Sequence, residues 1–169
     1  LLTHEEKDDF LEDSFLALSK ALELKPDSVL ANYLQGTLYM RKKEPEAALL
    51  SFAKAAQGAA ANKEIQYALA LSRMQTGDYE SALASAERLL SSDPQNVALL
   101  ELCCDSAVAL QDYDKAEQYV LRVLQLEPEN VHFVLVRARI LMTKGDYIKA
   151  SSLLDVYSKS SLVDKEYLL

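Results

Sequence analysis

The amino-acid sequence repeats every 34 residues. Two columns of small residues keep this spacing, one holding Ala48, Ala82, Ala116 and Ala150 and the other Gly36, Ala70, Cys104 and Ala138. Proline keeps the same spacing at Pro26, Pro94 and Pro128, with Ala60 in the position where one is missing. A fixed period of this length predicts stacked supersecondary units, because one unit cannot bury its apolar face alone. Stacked units of this kind usually form binding surfaces rather than catalytic pockets.

Each repeat is predicted to form two helices. The turn after each proline position ends in a strong N-cap residue, namely Ser28, Asn62, Asn96 and Asn130. These caps predict a first helix, called helix A, over 29–42, 63–76, 97–110 and 131–144. Asp78, Asp112 and Asp146, together with the Glu44-Pro45 pair, predict the start of helix B over 46–57, 80–91, 114–125 and 148–159. The short connections force the two helices of a repeat to lie antiparallel.

This pattern predicts one domain over 1–169. It comprises a half repeat at 6–28, four full repeats at 29–62, 63–96, 97–130 and 131–164, and the start of a further helix at 164–169. The first residue is Leu1 rather than Met, and both ends are apolar. We therefore expect the chain to be a segment of a longer protein.

Composition and motifs argue against several classes of function. The formal net charge of -8 disfavours binding to nucleic-acid phosphates. No apolar run approaches the length of a membrane-spanning helix, so we expect no membrane insertion in this segment. No phosphate loop, dinucleotide motif or metal-ligand spacing occurs, and neither His4 nor His132 has a nucleophile arranged nearby. We therefore predict a protein that is not an enzyme and needs no cofactor or metal.

The two cysteines are adjacent on the third helix A. Cys103 and Cys104 occupy columns that hold Leu69 and Ala70 in the preceding repeat, so they are predicted to be buried core residues. Buried free thiols favour a reducing compartment and hence a cytoplasmic location, although the sequence does not otherwise constrain localisation.

The small-residue and turn columns carry a family resemblance. Gly36, Tyr39, Ala48, Phe52 and Ala55 resemble a tetratricopeptide repeat, and so do the stretches Gly77-Asp78-Tyr79…Ala82…Pro94 and Gly145-Asp146-Tyr147…Ala150. The resemblance covers nearly the whole chain. It implies an all-α, right-handed solenoid of antiparallel helix pairs in which the A helices line a concave groove.

The chain also departs from the family pattern. Asn32, Gln66, Leu100 and Val134 replace the large aromatic residue that the family carries near the start of helix A. Arg137 stands where the family prefers Leu, which predicts a looser or differently partnered fourth repeat. The positions that grip a chaperone's C-terminal carboxylate in some members hold Tyr33, Thr37, Ala68, Ala98 and Leu102, which excludes that function.

The resemblance places eleven residues along the groove. They are Tyr33, Thr37, Met40, Tyr67, Leu71, Met74, Glu101, Asp105, Leu135, Arg139 and Met142. Flexible, polarisable Met side chains suit adaptable binding of peptides, but the same column is also expected if Met packs between repeats. Likewise, Glu101 and Asp105 are either a solvated acidic face or a seat for a Lys or Arg of the partner.

We therefore predict a scaffold that binds a protein or peptide partner in its groove. The alternative is a structural spacer or oligomerisation segment whose partners bind elsewhere on a larger protein. Exposed end helices leave self-association possible.

Overall fold

A computed structural model of the chain describes the backbone of residues 4–166 and the side chains of 11–158. This part of the chain consists of α-helices and the turns that join them. Nine helices follow one another in it: α1 (His4–Leu24), α2 (Val29–Arg41), α3 (Pro45–Gly58), α4 (Lys63–Gln75), α5 (Tyr79–Leu90), α6 (Val97–Ala109), α7 (Tyr113–Leu126), α8 (Val131–Thr143) and α9 (Tyr147–Glu166). The predicted helix bounds agree to within two residues, except at the end of α9.

The predicted caps begin the helices. The side chains of Ser28, Asn62, Asn96 and Asn130 each accept a hydrogen bond from the backbone N–H three residues later. Asp112 does the same at the start of α7, whereas Glu44 makes no side-chain cap and α3 begins with Pro45. A proline needs no N–H partner in the first turn, so it can begin a helix without a cap.

A left-handed residue follows every helix A. It is Lys43 in the first repeat, then Gly77, Gln111 and Gly145, all with φ between 60° and 86°. This conformation satisfies the last carbonyl groups of a helix and favours glycine. The turn geometry is therefore the same in all four repeats, although only two of them supply the residue that suits it.

The small columns lie at close helix contacts, as predicted. Seven of their eight side chains are at most 3% exposed. The eighth member, Gly36, is buried, and a Cβ atom there would lie 2.7 Å from the ring of Phe52 on α3. The nearest partner of Gly36 is therefore this ring, which lies one turn beyond the Ala48 contact that the columns suggest.

A buried amide replaces the family's aromatic residue in the first repeat. Asn32 is 1% exposed, and its Nδ2 donates to the carbonyl oxygens of Pro26 and Ser28, each at 2.9 Å. These bonds tie the start of α2 to the turn before it. A polar side chain is therefore tolerated in the core because its donor is satisfied.

The fold divides into two compact units, one up to Ser85 and one from Ala86. In unit 1, α1 packs on α2, α2 on α3 and α3 on α4. Its core contains Ala48, Phe52, Ala55, Ile65 and Leu69. In unit 2, α6 packs on α7, α7 on α8 and α8 on α9. The core of this unit includes Leu100, Val120 and Ile140. The prediction of one domain over 1–169 stays a prediction.

The last described helix is longer than predicted. We expected helix B to end at 159 and a further helix to begin at 164, but α9 continues unbroken through Glu166. Leu162 occupies the column that holds Pro26, Pro94 and Pro128, so no proline interrupts the helix. The remainder of the expected helix, 167–169, lies outside the described residues.

Candidate functional site

In unit 1, the predicted groove residues lie on α2 and α4 and are only partly exposed. All six of them are half-buried: Tyr33, Thr37, Met40, Tyr67, Leu71 and Met74. They therefore contribute to the surface of the two A helices and to the packing beneath it.

Tyr33 joins the core of unit 1 to this surface. Its ring centroid lies 5.7 Å from that of Phe52, and its hydroxyl donates to Glu64 Oε1 at 2.7 Å. This hydrogen bond, followed by burial, raises the pKa of Tyr33. Because Tyr33 also rests on the core, its substitution would affect both stability and surface chemistry.

A pocket of about 300 Å³ opens between the starts of α2 and α4. Its lining is mostly apolar, and Glu64 is the only charged residue in it. The lining residues are Val29, Leu30, Tyr33, Asn62, Glu64 and Ile65. Sequence reasoning missed Leu30, which is 66% exposed. Its column holds Glu64, Ala98 and His132 in the other repeats, so the apolar departure was a usable indication of this pocket.

The methionine column is not uniform. Met40 packs against the core of unit 1, and Ser72 Oγ lies 3.8 Å from its sulfur. Met40 therefore contributes to packing between α2 and α4, and its contact with a partner stays a prediction. Met142, in contrast, is 50% exposed on α8.

In unit 2, the predicted groove residues lie on α6 and α8 and are more open. Leu135 is 55% exposed, Glu101 and Arg139 are also exposed, and Asp105 is half-buried. Two large apolar side chains, Leu135 and Met142, are thus about half exposed on α8, the helix that also carries His132 and Arg139.

The carboxylates of this surface have few partners. His132 Nε2 lies 3.8 Å from Glu101 Oε1, a distance too long for a hydrogen bond. Within the described part of the chain, Asp105 makes neither a hydrogen bond nor an ion pair. Burial, and then the nearby charge of Glu101, raise the pKa of Asp105, while His132 and Arg139 act in the opposite direction. Burial and Glu101 therefore disfavour the charged form of Asp105.

Arg137 lies near an acidic side chain of α7. Its Nε lies 3.8 Å from Glu117 Oε1 on α7, and the other Glu117 oxygen lies 2.9 Å from Lys144 Nζ. Lys144 also reaches Asp114 at 2.6 Å. Lys144 therefore links α7 to the end of α8, whereas Nε of Arg137 is buried without a hydrogen bond among the described residues.

Neither cysteine is available for chemistry. Cys103 and Cys104 are free and fully buried, as predicted. Burial raises the pKa of both thiols to about 12, which disfavours the reactive thiolate. Among the described residues, no group of three His, Cys, Asp or Glu side chains could hold a metal ion.

The repeats match known family models. Models described as tetratricopeptide repeat match residues 73–124 and 107–168, and another matches residues 12–64. The chain belongs to the tetratricopeptide repeat family. It is accordingly an all-α helical-repeat protein of a family whose members generally serve as non-enzymatic scaffolds for protein interactions. In the described part of the chain, no helix is long and apolar enough to cross a membrane.

Several solved structures share the fold at low sequence identity. A MamA protein superposes with a TM-score of 0.85 at 16% identity, over 96% of this chain and 89% of that one. MamA from Desulfovibrio magneticus RS-1 gives 0.81 at 14% identity, over 88% and 84%. YrrB, described as a tetratricopeptide protein with an unusual peptide-binding site, gives 0.78 at 21% identity, over 88% and 77%. No curated protein sequence matches the chain.

Proposed function

We propose that the chain binds a peptide or a helix of a partner protein on the surfaces of its A helices. The observation that carries this proposal is the exposure of Leu135 and Met142, at 55% and 50%, on the same helix. Exposed apolar side chains that line a helix face are typical of surfaces that take a helix or an extended peptide. The peptide-binding site named for YrrB, a protein of the same fold, is consistent with this function.

The chain offers a matched control for the proposal. Ile148 and Val156 are 84% and 69% exposed on α9, which is a B helix. They are apolar and solvent-facing like Leu135 and Met142, but they lie on the other helix of the same repeat. The α9 pair is more exposed than the α8 pair, so loss of exposed apolar surface alone would weaken binding at least as much in the control.

The test begins with selection of binders from a random library of 12-residue peptides displayed on phage, using the full chain. We expect Leu135→Ala with Met142→Ala to weaken the selected peptide at least tenfold, or about 1.4 kcal/mol. The Ile148→Ala and Val156→Ala pair should leave affinity within twofold. Equal losses in both double variants, or no selected peptide at all, would contradict the proposal.

The second candidate is a structural spacer. The packing of Met40 and Tyr33 on the core of unit 1 favours it, since both residues then serve stability rather than binding. A spacer predicts that the library yields no specific binder and that both double variants behave alike.

A further inference from the structure

We infer that the partner segment carries a lysine or arginine next to apolar side chains, and that this cation lies against Asp105 and Glu101 while its apolar neighbours contact Leu135 and Met142. This inference rests on the proposed function and adds the chemistry of the partner. The position of the cation follows from which charges of unit 2 are satisfied and which are not.

Most other charged contacts in unit 2 are close. Glu87 lies 2.8 Å from Lys115 Nζ, Asp114 lies 2.6 Å from Lys144 Nζ, and Asp146 lies 2.5 Å from Lys149 Nζ. Glu101 and Asp105 are different, because the described residues give Glu101 only a distant His132 and give Asp105 no bonded partner. A half-buried carboxylate without a partner favours an incoming cation more than a fully solvated one does.

The apolar part of the surface suits the same kind of residue. Lysine and arginine bury their methylene stems against apolar groups while the charged head reaches a carboxylate. Leu135 and Met142 are about half exposed on α8, which also carries His132 and Arg139, and His132 Nε2 lies 3.8 Å from Glu101 Oε1 on α6. Arg139 is the cation that opposes the proposal, since its charge lies near Asp105 and would repel a second positive group.

Unit 1 presents the same chemistry independently. The pocket of about 300 Å³ between α2 and α4 is lined by Val29, Leu30 and Ile65, with Glu64 as its charged member. Tyr33 donates to one carboxylate oxygen of Glu64, and Glu64 is exposed. In each unit, therefore, exposed apolar groups adjoin a carboxylate on the A helices.

The experiment uses the full chain and the peptides selected from the random 12-residue library. We expect their sequences to be enriched in Lys or Arg beside Leu, Ile, Met or Phe. Asp105→Lys should weaken the best peptide at least tenfold, and Arg139→Gln should strengthen it severalfold. Asp155→Lys is the matched control, because Asp155 is exposed on α9 in the same unit and undergoes the same change of charge. It should change affinity less than twofold.

The outcomes separate this inference from the proposed function. Selected peptides that lack basic residues, yet depend on Leu135 and Met142, would overturn the inference and leave the proposed function standing. Equal losses for Asp105→Lys and Asp155→Lys would show general attraction to an acidic protein and would also overturn it. If Asp105→Lys does not fold, Asp105→Asn replaces it, with an expected loss of at least threefold. No selected peptide at all would overturn both.

Discussion

Gly36 and Asp105 contribute to this protein in different ways. Gly36 permits the ring of Phe52 to lie against α2, since a Cβ atom would come within 2.7 Å of it. Asp105, in contrast, is a carboxyl group whose charged form burial and Glu101 disfavour. The first residue serves the fold, and the second is the position at which we propose that a cation of the partner binds.

Gly36→Ala should destabilise the chain. The added methyl group improves helix propensity by about 1 kcal/mol, but overpacking against Phe52, which is 3% exposed, costs about 1–3 kcal/mol. We expect a net loss in chemical denaturation. The same change in a Phe52→Leu background should cost less, because the smaller side chain can move. An equal cost in both backgrounds would show that the two residues do not compete for space.

Asp105→Asn should stabilise the free chain near pH 7. The pKa of Asp105 is raised above its usual value of 3.8, so the folded chain binds this proton more tightly than the unfolded chain does. Wild-type stability therefore falls as pH rises from the usual pKa through the raised one, and Asn removes this fall. The Tm gain should be clear near pH 7 and vanish near pH 2–3, where Asp105 is protonated. A gain that is independent of pH would exclude the charge as its cause.

Helices A and B of each repeat are joined by a turn that contains one left-handed residue. The left-handed residue is glycine at 77 and 145 but Lys43 and Gln111 in the other two repeats. A side chain in this conformation costs about 1–2 kcal/mol. Two repeats therefore fold in spite of their turn residue.

Exchanging these residues gives opposite predictions. Gln111→Gly should raise the free energy of unfolding by about 1 kcal/mol, while Gly145→Gln should lower it by a similar amount. Denaturant titration of the two single variants measures both effects. If glycine at 111 is neutral or destabilising, the left-handed turn is not the cost that we assign to it.

The sequence was sufficient to predict those structural features that depend on nearby residues and on the repeat period. The Asn and Asp caps, the small columns and the buried Cys103 follow from residue type and a fixed period, and all are confirmed. The pocket beside Leu30 could not be predicted in the same way, because it depends on how two A helices pack. The length of α9 was predicted wrongly for another reason. The repeat period predicted a break near 162, but Leu162 stands there in place of proline and the helix continues.

The whole molecule combines two compact units with an acidic net charge of -8. Each unit leaves apolar and acidic side chains on its A helices, and the family is one of protein-interaction scaffolds. Which of the eleven predicted residues contact a partner depends on that partner and stays a prediction. All eleven side chains are at least partly exposed and can therefore contact a partner.

The most direct test of peptide binding on the A helices uses the three methionines of the chain. Met40, Met74 and Met142 share one column, so the NMR spectrum of their ¹³C-labelled ε-methyl groups samples both units. On titration with a selected peptide, we predict a large shift for exposed Met142 and a small one for Met40, which packs on the core. Saturable binding that leaves all three methyl resonances in place would contradict the account, because the peptide would then lie elsewhere.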